Sequence, residues 1–162
     1  MKAIFPGSFN PIHNGHIEII KYASSEYDEL FVLVANNEQK IYKHTLIQRK
    51  KVVDKAVEDL NLENVKVITQ VPGKLTPHIA EGLGVNIIIR GLRTKNLTKY
   101  EENIAEKYLD INDELIFNYV VVHDKDVSST KIREALENNE NIDDMVPECI
   151  RKDVEILWKG VN

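Results

Sequence analysis

Two histidines flank a glycine in His13-Asn14-Gly15-His16, directly behind Phe5-Pro6-Gly7-Ser8-Phe9-Asn10-Pro11. Their spacing places both imidazoles near one side of a helix mouth, and Gly15 leaves the backbone open to close approach. Lys2 to Phe5 reads as a short buried first strand. Pro6, Gly7, Asn10 and Pro11 are expected to interrupt regular structure. From His16 the spacing of Ile17, Ile20 and Ala23, with Ile19 beside them, predicts a helix. A strand that hands the chain to a helix N-terminus through a glycine turn builds an anion site, because the first N–H groups are unpaired and the helix dipole favours negative charge there. One loop histidine is more often surface decoration or a cap; a pair flanking a glycine in this setting points to phosphate.

Two further clusters have the same chemistry. Arg90-Gly91-Leu92-Arg93 is expected directly after a strand ending in Ile87-Ile88-Ile89. Guanidinium groups bind phosphate in bidentate fashion, and a cation behind three isoleucines needs a partner. Val127-Ser128-Ser129-Thr130-Lys131-Ile132-Arg133 sets three hydroxyls at a helix start, more than one N-cap uses. Competing signatures are missing. Gly73-Lys74 lacks the upstream glycine and the hydroxyl of a P-loop, and no G-x-G-x-x-G follows the first strand. No Cys/His grouping has zinc spacing. Asp143-Asp144 reads as a solvated acidic face.

These residues need a frame. Strand patterns recur at 30–35, 65–69, 85–89 and 115–122. Between them lie helical patterns: one behind Thr45-Leu46-Ile47-Gln48, a short one from Pro77 to about Leu83, one behind Thr98-Lys99-Tyr100-Glu101, and one from the Ser128 cap to about Leu136. A last helix starts at Pro147. The loop 36–44 is polar and carries Lys40 and Lys43. Five strands alternating with helices predict an α/β fold with a parallel sheet covered on both faces, since parallel strands need crossovers. In such sheets ligands bind beyond the C-terminal strand ends, where the strand order reverses.

Composition bounds the partners. A chain of 162 residues reads as one domain, 1–162, with a core that needs no staples. The net charge of −5 argues against nucleic acid held by bulk electrostatics, so any phosphate site is local. One cysteine, Cys149, makes no internal disulfide, which fits a reducing, cytoplasmic setting. No apolar run approaches the roughly eighteen residues of a membrane span, so no membrane partner is expected. No leader segment is apparent at the start of the chain.

The first stretch resembles the (H/T)-x-G-H signature of the nucleotidylyltransferase superfamily, and Phe-Pro-Gly-Ser-Phe is most similar to the bacterial phosphopantetheine adenylyltransferase family. Ile88-Ile89-Arg90-Gly91-Leu92-Arg93 with Tyr100-Glu101 resembles that family's most distinctive segment. The segment 127–133 resembles the superfamily's nucleotide-binding motif. The resemblance implies a Rossmann-like, doubly wound sheet of order 3-2-1-4-5 with a C-terminal helical extension. It implies adenylyl transfer from ATP, with Mg²⁺, to 4'-phosphopantetheine, and a homo-oligomer, hexameric by the family's pattern. By it, His16 stabilises the transition state with Lys40 and Arg90, and His13 assists at the triphosphate. Ser8 contacts both substrates, with Phe9 beside it. Lys40 and Arg90 hold the phosphate of phosphopantetheine, and Thr76 lies near its arm. Gly91, Arg93, Glu101, Asp124, Val127, Ser128, Ser129 and Thr130 meet ATP.

The chain departs from that family's pattern in places. Asn10 stands where Asp is usual, and His13 where Thr is usual. Lys107-Tyr108 stands where Met-Asn is common, Asp124-Lys125-Asp126 is unusually charged, and Gly73-Lys74-Leu75 matches only loosely. The alternatives are a relative with another acceptor, such as nicotinate mononucleotide, and a non-catalytic nucleotide-binding paralogue. A phosphate monoester is already mostly ionised near pH 7, with a second pKa of about 6, so as a nucleophile it needs no general base.

Overall fold

A computed structural model describes residues 1–124 and 126–159. Lys125 of the charged loop and residues 160–162 lie outside the described residues. The strands are β1 (Lys2–Gly7), β2 (Glu29–Val34), β3 (Val65–Thr69), β4 (Ile87–Leu92) and β5 (Ile116–Val121). The helices are α1 (Asn14–Glu26), α2 (Leu46–Glu58), α3 (Thr76–Gly82), α4 (Lys99–Ile111), α5 (Ser129–Glu137) and α6 (Arg151–Lys159). A single 3-10 turn, Glu148–Ile150, leads into α6 behind Pro147. All pairings are parallel, and the order is β3-β2-β1-β4-β5. Consecutive strands run outward from β1 to β3, and the chain then crosses to β4 on the other side of β1, so the order reverses between β1 and β4.

Alternate residues of each strand feed two cores, as the two-residue repeat requires. Ile4, Phe31, Leu33 and Ile88 face one side with Ile79 and Ala80 of α3. Ala3, Phe5, Val32, Val34, Ile87 and Ile89 face the other, against α1, α2, α5 and α6. The isoleucine run is therefore buried on both faces, each side chain contributing about 1.5–3 kcal/mol.

Two sequence expectations are corrected. Pro6 and Gly7 do not end β1; they stay extended and pair with Leu33 and Val34 of β2. The Gly7 carbonyl accepts from Ala35 of the β2 side. Backbone polar groups alternate along a strand, so Pro6, which has no N–H, faces β4. There the ladder stops at Ile4↔Ile88, and the missing donor costs no strand hydrogen bond. Likewise β4 runs on through Arg90, Gly91 and Leu92, paired with Tyr119, Val120 and Val121. Arg90 and Gly91 are thus strand residues, and only Arg93 follows the strand. Because β1 and β4 part beyond Ile4 and Ile88 while each stays paired on its outer side, a crevice opens between them.

The loop 36–44 is fastened over one end of that crevice by Arg49, whose side chain is fully buried. Its Nε donates to the His44 carbonyl at 3.2 Å, and Nη1 donates to the carbonyls of Ser8 at 2.7 Å and Ala35 at 3.4 Å. Nη2 donates to the Asn36 side-chain oxygen, and the guanidinium lies 4.3 Å from the Tyr42 ring centroid. Each of these acceptors is neutral. Four hydrogen bonds from one rigid fork thereby tie the ends of β1 and β2 to both ends of the loop. Removing the fork leaves several partly buried carbonyls unpaired, at about 1–3 kcal/mol each. Arg49→Ala should therefore lower the free energy of unfolding by at least about 3 kcal/mol, read from urea midpoints. A loss under about 1 kcal/mol would show that the loop is held by other contacts.

Candidate active site

The turn after β1 is compact because Phe9 takes a positive φ of 47°. That conformation costs a bulky residue on the order of 1–2 kcal/mol. It sends the ring inward, edge-on to Phe5 at 5.6 Å and to His16 at 4.8 Å between centroids. Asn10 is held from two sides: its carbonyl accepts from Arg133 Nη1 at 2.7 Å, and its side-chain oxygen accepts from Trp158 Nε1 at 2.7 Å. Arg133 of α5 and Trp158 of α6 thus brace the turn.

Helix α1 begins at Asn14, two residues earlier than the apolar spacing predicts, because His13 is its N-cap. His13 Nδ1 accepts from the Gly15 N–H at 3.0 Å, and His16 Nδ1 accepts from the His13 N–H at 3.1 Å. The two rings form a reciprocal capping box, with centroids 3.8 Å apart and planes tilted by 31°. A Cβ on Gly15 would lie 2.9 Å from the His13 ring, so any side chain at position 15 would push that ring out of its capping position. A ring nitrogen that accepts a hydrogen bond carries no proton, so each neutral ring has its hydrogen on Nε2. Both rings are held neutral at pH 7. Burial and the Arg93 charge draw His13 down to about 4 against a smaller opposing pull from Asp124. Burial, then His13, lowers His16 well below its ordinary value.

Across the crevice, Arg90 forms two hydrogen bonds of 2.9 Å to the Glu101 carboxylate. This supplies the partner that a cation behind three isoleucines requires. Burial opposes the Arg90 charge, but the hydrogen bond and charge of Glu101 outweigh it and hold the guanidinium above its usual value. Glu101 is consequently not the returning half of a capping box. Thr98 accepts from the Glu101 N–H at 3.2 Å, while the carboxylate goes to Arg90. Gly91 lets α1 approach β4, since a Cβ there would come within 2.6 Å of Ile19.

Two cavities meet at this turn. The inner one, of about 510 Å³, runs between β1 and β4 and takes in Arg90, Gly91, Thr76, Val127, Lys107 and Tyr108. The outer one, of about 570 Å³, runs toward α5 and α6 and takes in Phe9, Asn10, Ser128, Ser129, Thr130 and Trp158. Ser8, His13, His16, Lys40 and Arg93 border both, forming a waist between them. Asn37 donates to the Tyr100 hydroxyl at 3.1 Å and Glu38 stands 4.0 Å from Lys107, so loop 36–44 reaches α4 across the inner cavity. Glu101 and Asp124 border neither cavity. The three hydroxyls at the start of α5, with Ser128 as its N-cap, are each engaged within the protein. Ser128 accepts from Lys131 N–H at 3.0 Å, Ser129 donates to the Pro11 carbonyl at 2.8 Å, and Thr130 accepts from Arg133 at 3.3 Å. Sequence reasoning did not reach Tyr42, Arg49 or Trp158, each of which meets the site only through tertiary contacts.

Among the described residues no group of three or more His, Cys, Asp and Glu is placed to hold a metal ion. No helix among them is long and apolar enough to cross a membrane. The waist is lined by cations, imidazoles and a hydroxyl, a donor set for anions.

The cytidylyltransferase-like family model matches residues 4–135. A phosphopantetheine adenylyltransferase of Lactobacillus johnsonii is 36% identical over 164 residues, covering 100% of this chain and 97% of that protein. One from Finegoldia magna is 37% identical, covering 95% and 94%. One from Mycoplasma mycoides is 38% identical, covering 82% and 94%. A crystal structure from Vibrio parahaemolyticus, provisionally assigned as a nicotinate-nucleotide adenylyltransferase, superposes with a TM-score of 0.66 at 23% identity. It covers 93% of this chain and 96% of its own, a likeness of fold.

The buried neutral histidines make stability fall in acid. A base whose folded pKa is depressed keeps its stabilising contribution above the unfolded value near 6.5. It loses that contribution as pH falls toward the folded value, about 4 for His13. Across that window His13 alone accounts for about 3 kcal/mol. His13→Asn, which retains an N-capping side chain, should lose about that much less stability between pH 7 and pH 4 in urea titrations. Identical acid limbs would show that His13 takes up its proton as readily in the folded protein as in the unfolded chain.

Proposed function

This chain belongs to the phosphopantetheine adenylyltransferase family, within the cytidylyltransferase-like group, and from that membership we propose that it transfers the adenylyl group of ATP to 4'-phosphopantetheine. The products are dephospho-coenzyme A and pyrophosphate. The observation that carries the reading is the waist shared by two cavities, at Ser8, His13, His16, Lys40 and Arg93. A two-substrate transfer needs separate rooms with one common wall.

The acceptor occupies the inner cavity, its phosphate against Lys40 and Arg90 and its arm toward Thr76, Lys107 and Tyr108. ATP enters the outer cavity and spans the waist, its triphosphate toward Arg93, Ser128, Ser129 and Thr130. An oxygen of the acceptor phosphate forms a bond to the α-phosphorus. The bond from that phosphorus to the bridging oxygen breaks, and its electron pair leaves with pyrophosphate. No proton has to move, because the nucleophile is already an anion. The protein's part is to hold two anions together and to stabilise charge on the transferring group. The neutral His16 imidazole, capped at Nδ1, has its Nε2–H as the one ring donor. Lys40, Arg90 and Arg93 add fixed positive charge. Mg²⁺ belongs to this reading as a companion of ATP, carried on phosphate oxygens, because the donor set at the waist does not suit a divalent cation.

Purified protein given ATP, Mg²⁺ and each acceptor in turn should release pyrophosphate with 4'-phosphopantetheine and not with nicotinate mononucleotide. The reverse pattern would assign the other acceptor, and binding without release would make the chain a nucleotide-binding paralogue. His16→Ala should lower kcat by about 100- to 1000-fold with an unchanged circular dichroism spectrum. Near-normal turnover would remove His16 from the mechanism.

The same reading makes the protein a cytoplasmic homo-oligomer, hexameric by the family's pattern. The outer strand β5 and α4 support self-association, because Ile116 and Leu109 stand exposed on them, with Leu97 exposed just before α4. Light scattering should return a mass several times 18.6 kDa. A monomer at micromolar concentration would overturn it.

A further inference from the structure

A serine hydroxyl turns freely and can donate or accept, so a serine at the waist is useful to an anion only if something settles where its proton points. In this chain the Ser8 hydroxyl lies 2.7 Å from that of Tyr42. The Tyr42 oxygen also accepts the Asn37 N–H at 2.9 Å. A phenol, with a pKa near 10, is a better hydrogen-bond donor than an alkyl hydroxyl. With its oxygen already accepting from Asn37, Tyr42 donates its proton to Ser8 Oγ. The Ser8 proton is then left to point away from Tyr42, toward the cavities that Ser8 borders.

The phenol is itself held in place. Arg49 lies 4.3 Å from the Tyr42 ring centroid and donates to the Ser8 carbonyl at 2.7 Å. Ser8 is therefore gripped at both its backbone oxygen and its side-chain oxygen by two side chains that stack on each other. Tyr42 also stands two residues from Lys40, so the same bond ties the lysine's loop to the β1 turn.

We propose that Tyr42 is a positioning residue for the transfer reaction: its hydroxyl orients the Ser8 hydroxyl as a donor to substrate phosphate. The inference rests on the reading that Ser8 meets the substrates' phosphates, and it gives that site a further member outside the motifs.

The test is a double-mutant cycle of Tyr42→Phe and Ser8→Ala, with kcat, KM for ATP and for 4'-phosphopantetheine, and melting temperature measured for each protein. Tyr42→Phe keeps the ring against Arg49 and removes only the hydroxyl. It should lower kcat by about 5- to 20-fold while both KM values move by less than about threefold. In the Ser8→Ala background the same substitution should change kcat by less than about twofold, because its target is gone. An equal fall in both backgrounds would overturn the proposal, since Tyr42 would then act on something other than Ser8. A lowered melting temperature with unchanged kcat would overturn it too, leaving Tyr42 a structural tether. Unchanged kinetics in Ser8→Ala alone would remove the premise that Ser8 meets phosphate. That failure shows in the single variant and is distinct from failure of the Tyr42 step.

Discussion

The reciprocal cap at the start of α1 is the constraint on which the site depends. Each histidine spends its Nδ1 lone pair on a backbone N–H, His13 on Gly15 and His16 on the His13 amide. That act satisfies orphan donors of the helix, sets each ring's tautomer and fixes its plane. Burial then keeps both rings neutral, so each offers one N–H and no charge. The same two bonds therefore serve the fold and the chemistry. Phe9, folded back at a positive φ, packs against His16 and secures it from the other side.

Charge is divided between neutral and cationic groups in a way that follows from burial. Deep in the turn, imidazoles stay uncharged. Farther out, Arg93 and Lys40 remain at the waist, while the Arg90 guanidinium meets Glu101 in a two-pronged pair with both side chains largely buried, which offsets the cost of burying its charge. Breaking such a pair by removing one partner leaves a buried charge uncompensated, at several kcal/mol. Glu101 thus acts through Arg90, holding its guanidinium in one orientation at the edge of the inner cavity. Arg49 is the complementary case, a buried cation satisfied wholly by neutral oxygens and an aromatic face. It organises the loop that brings Lys40 and Tyr42 to the turn.

Much of the frame was legible along the chain. Alternating apolar runs and capped helical patterns returned five strands, the covering helices and the polar loop, because each signal is local. The β3 boundaries and the Thr45–Gln48 capping box match the observed elements. Local reasoning failed where a distant partner set the outcome. Pro6 and Gly7 stay in β1 because β2 pairs with them. Arg90 stays in β4 because β5 does, and Thr98 loses half of its capping box because Arg90 takes the Glu101 carboxylate.

The amino-acid sequence by itself determined the chemistry on offer: two imidazoles around a glycine, arginines behind an isoleucine run, hydroxyls at a helix start, and a parallel α/β frame to carry them. Those follow from side-chain type and short-range spacing, which a linear chain displays directly. Only the tertiary structure decided that β1 and β4 part to open a crevice. It alone set two cavities to share Ser8, His13, His16, Lys40 and Arg93, and let Tyr42, Arg49 and Trp158 hold the turn from afar. Those outcomes depend on distances between residues remote in sequence, and such distances exist only once packing has brought the elements together.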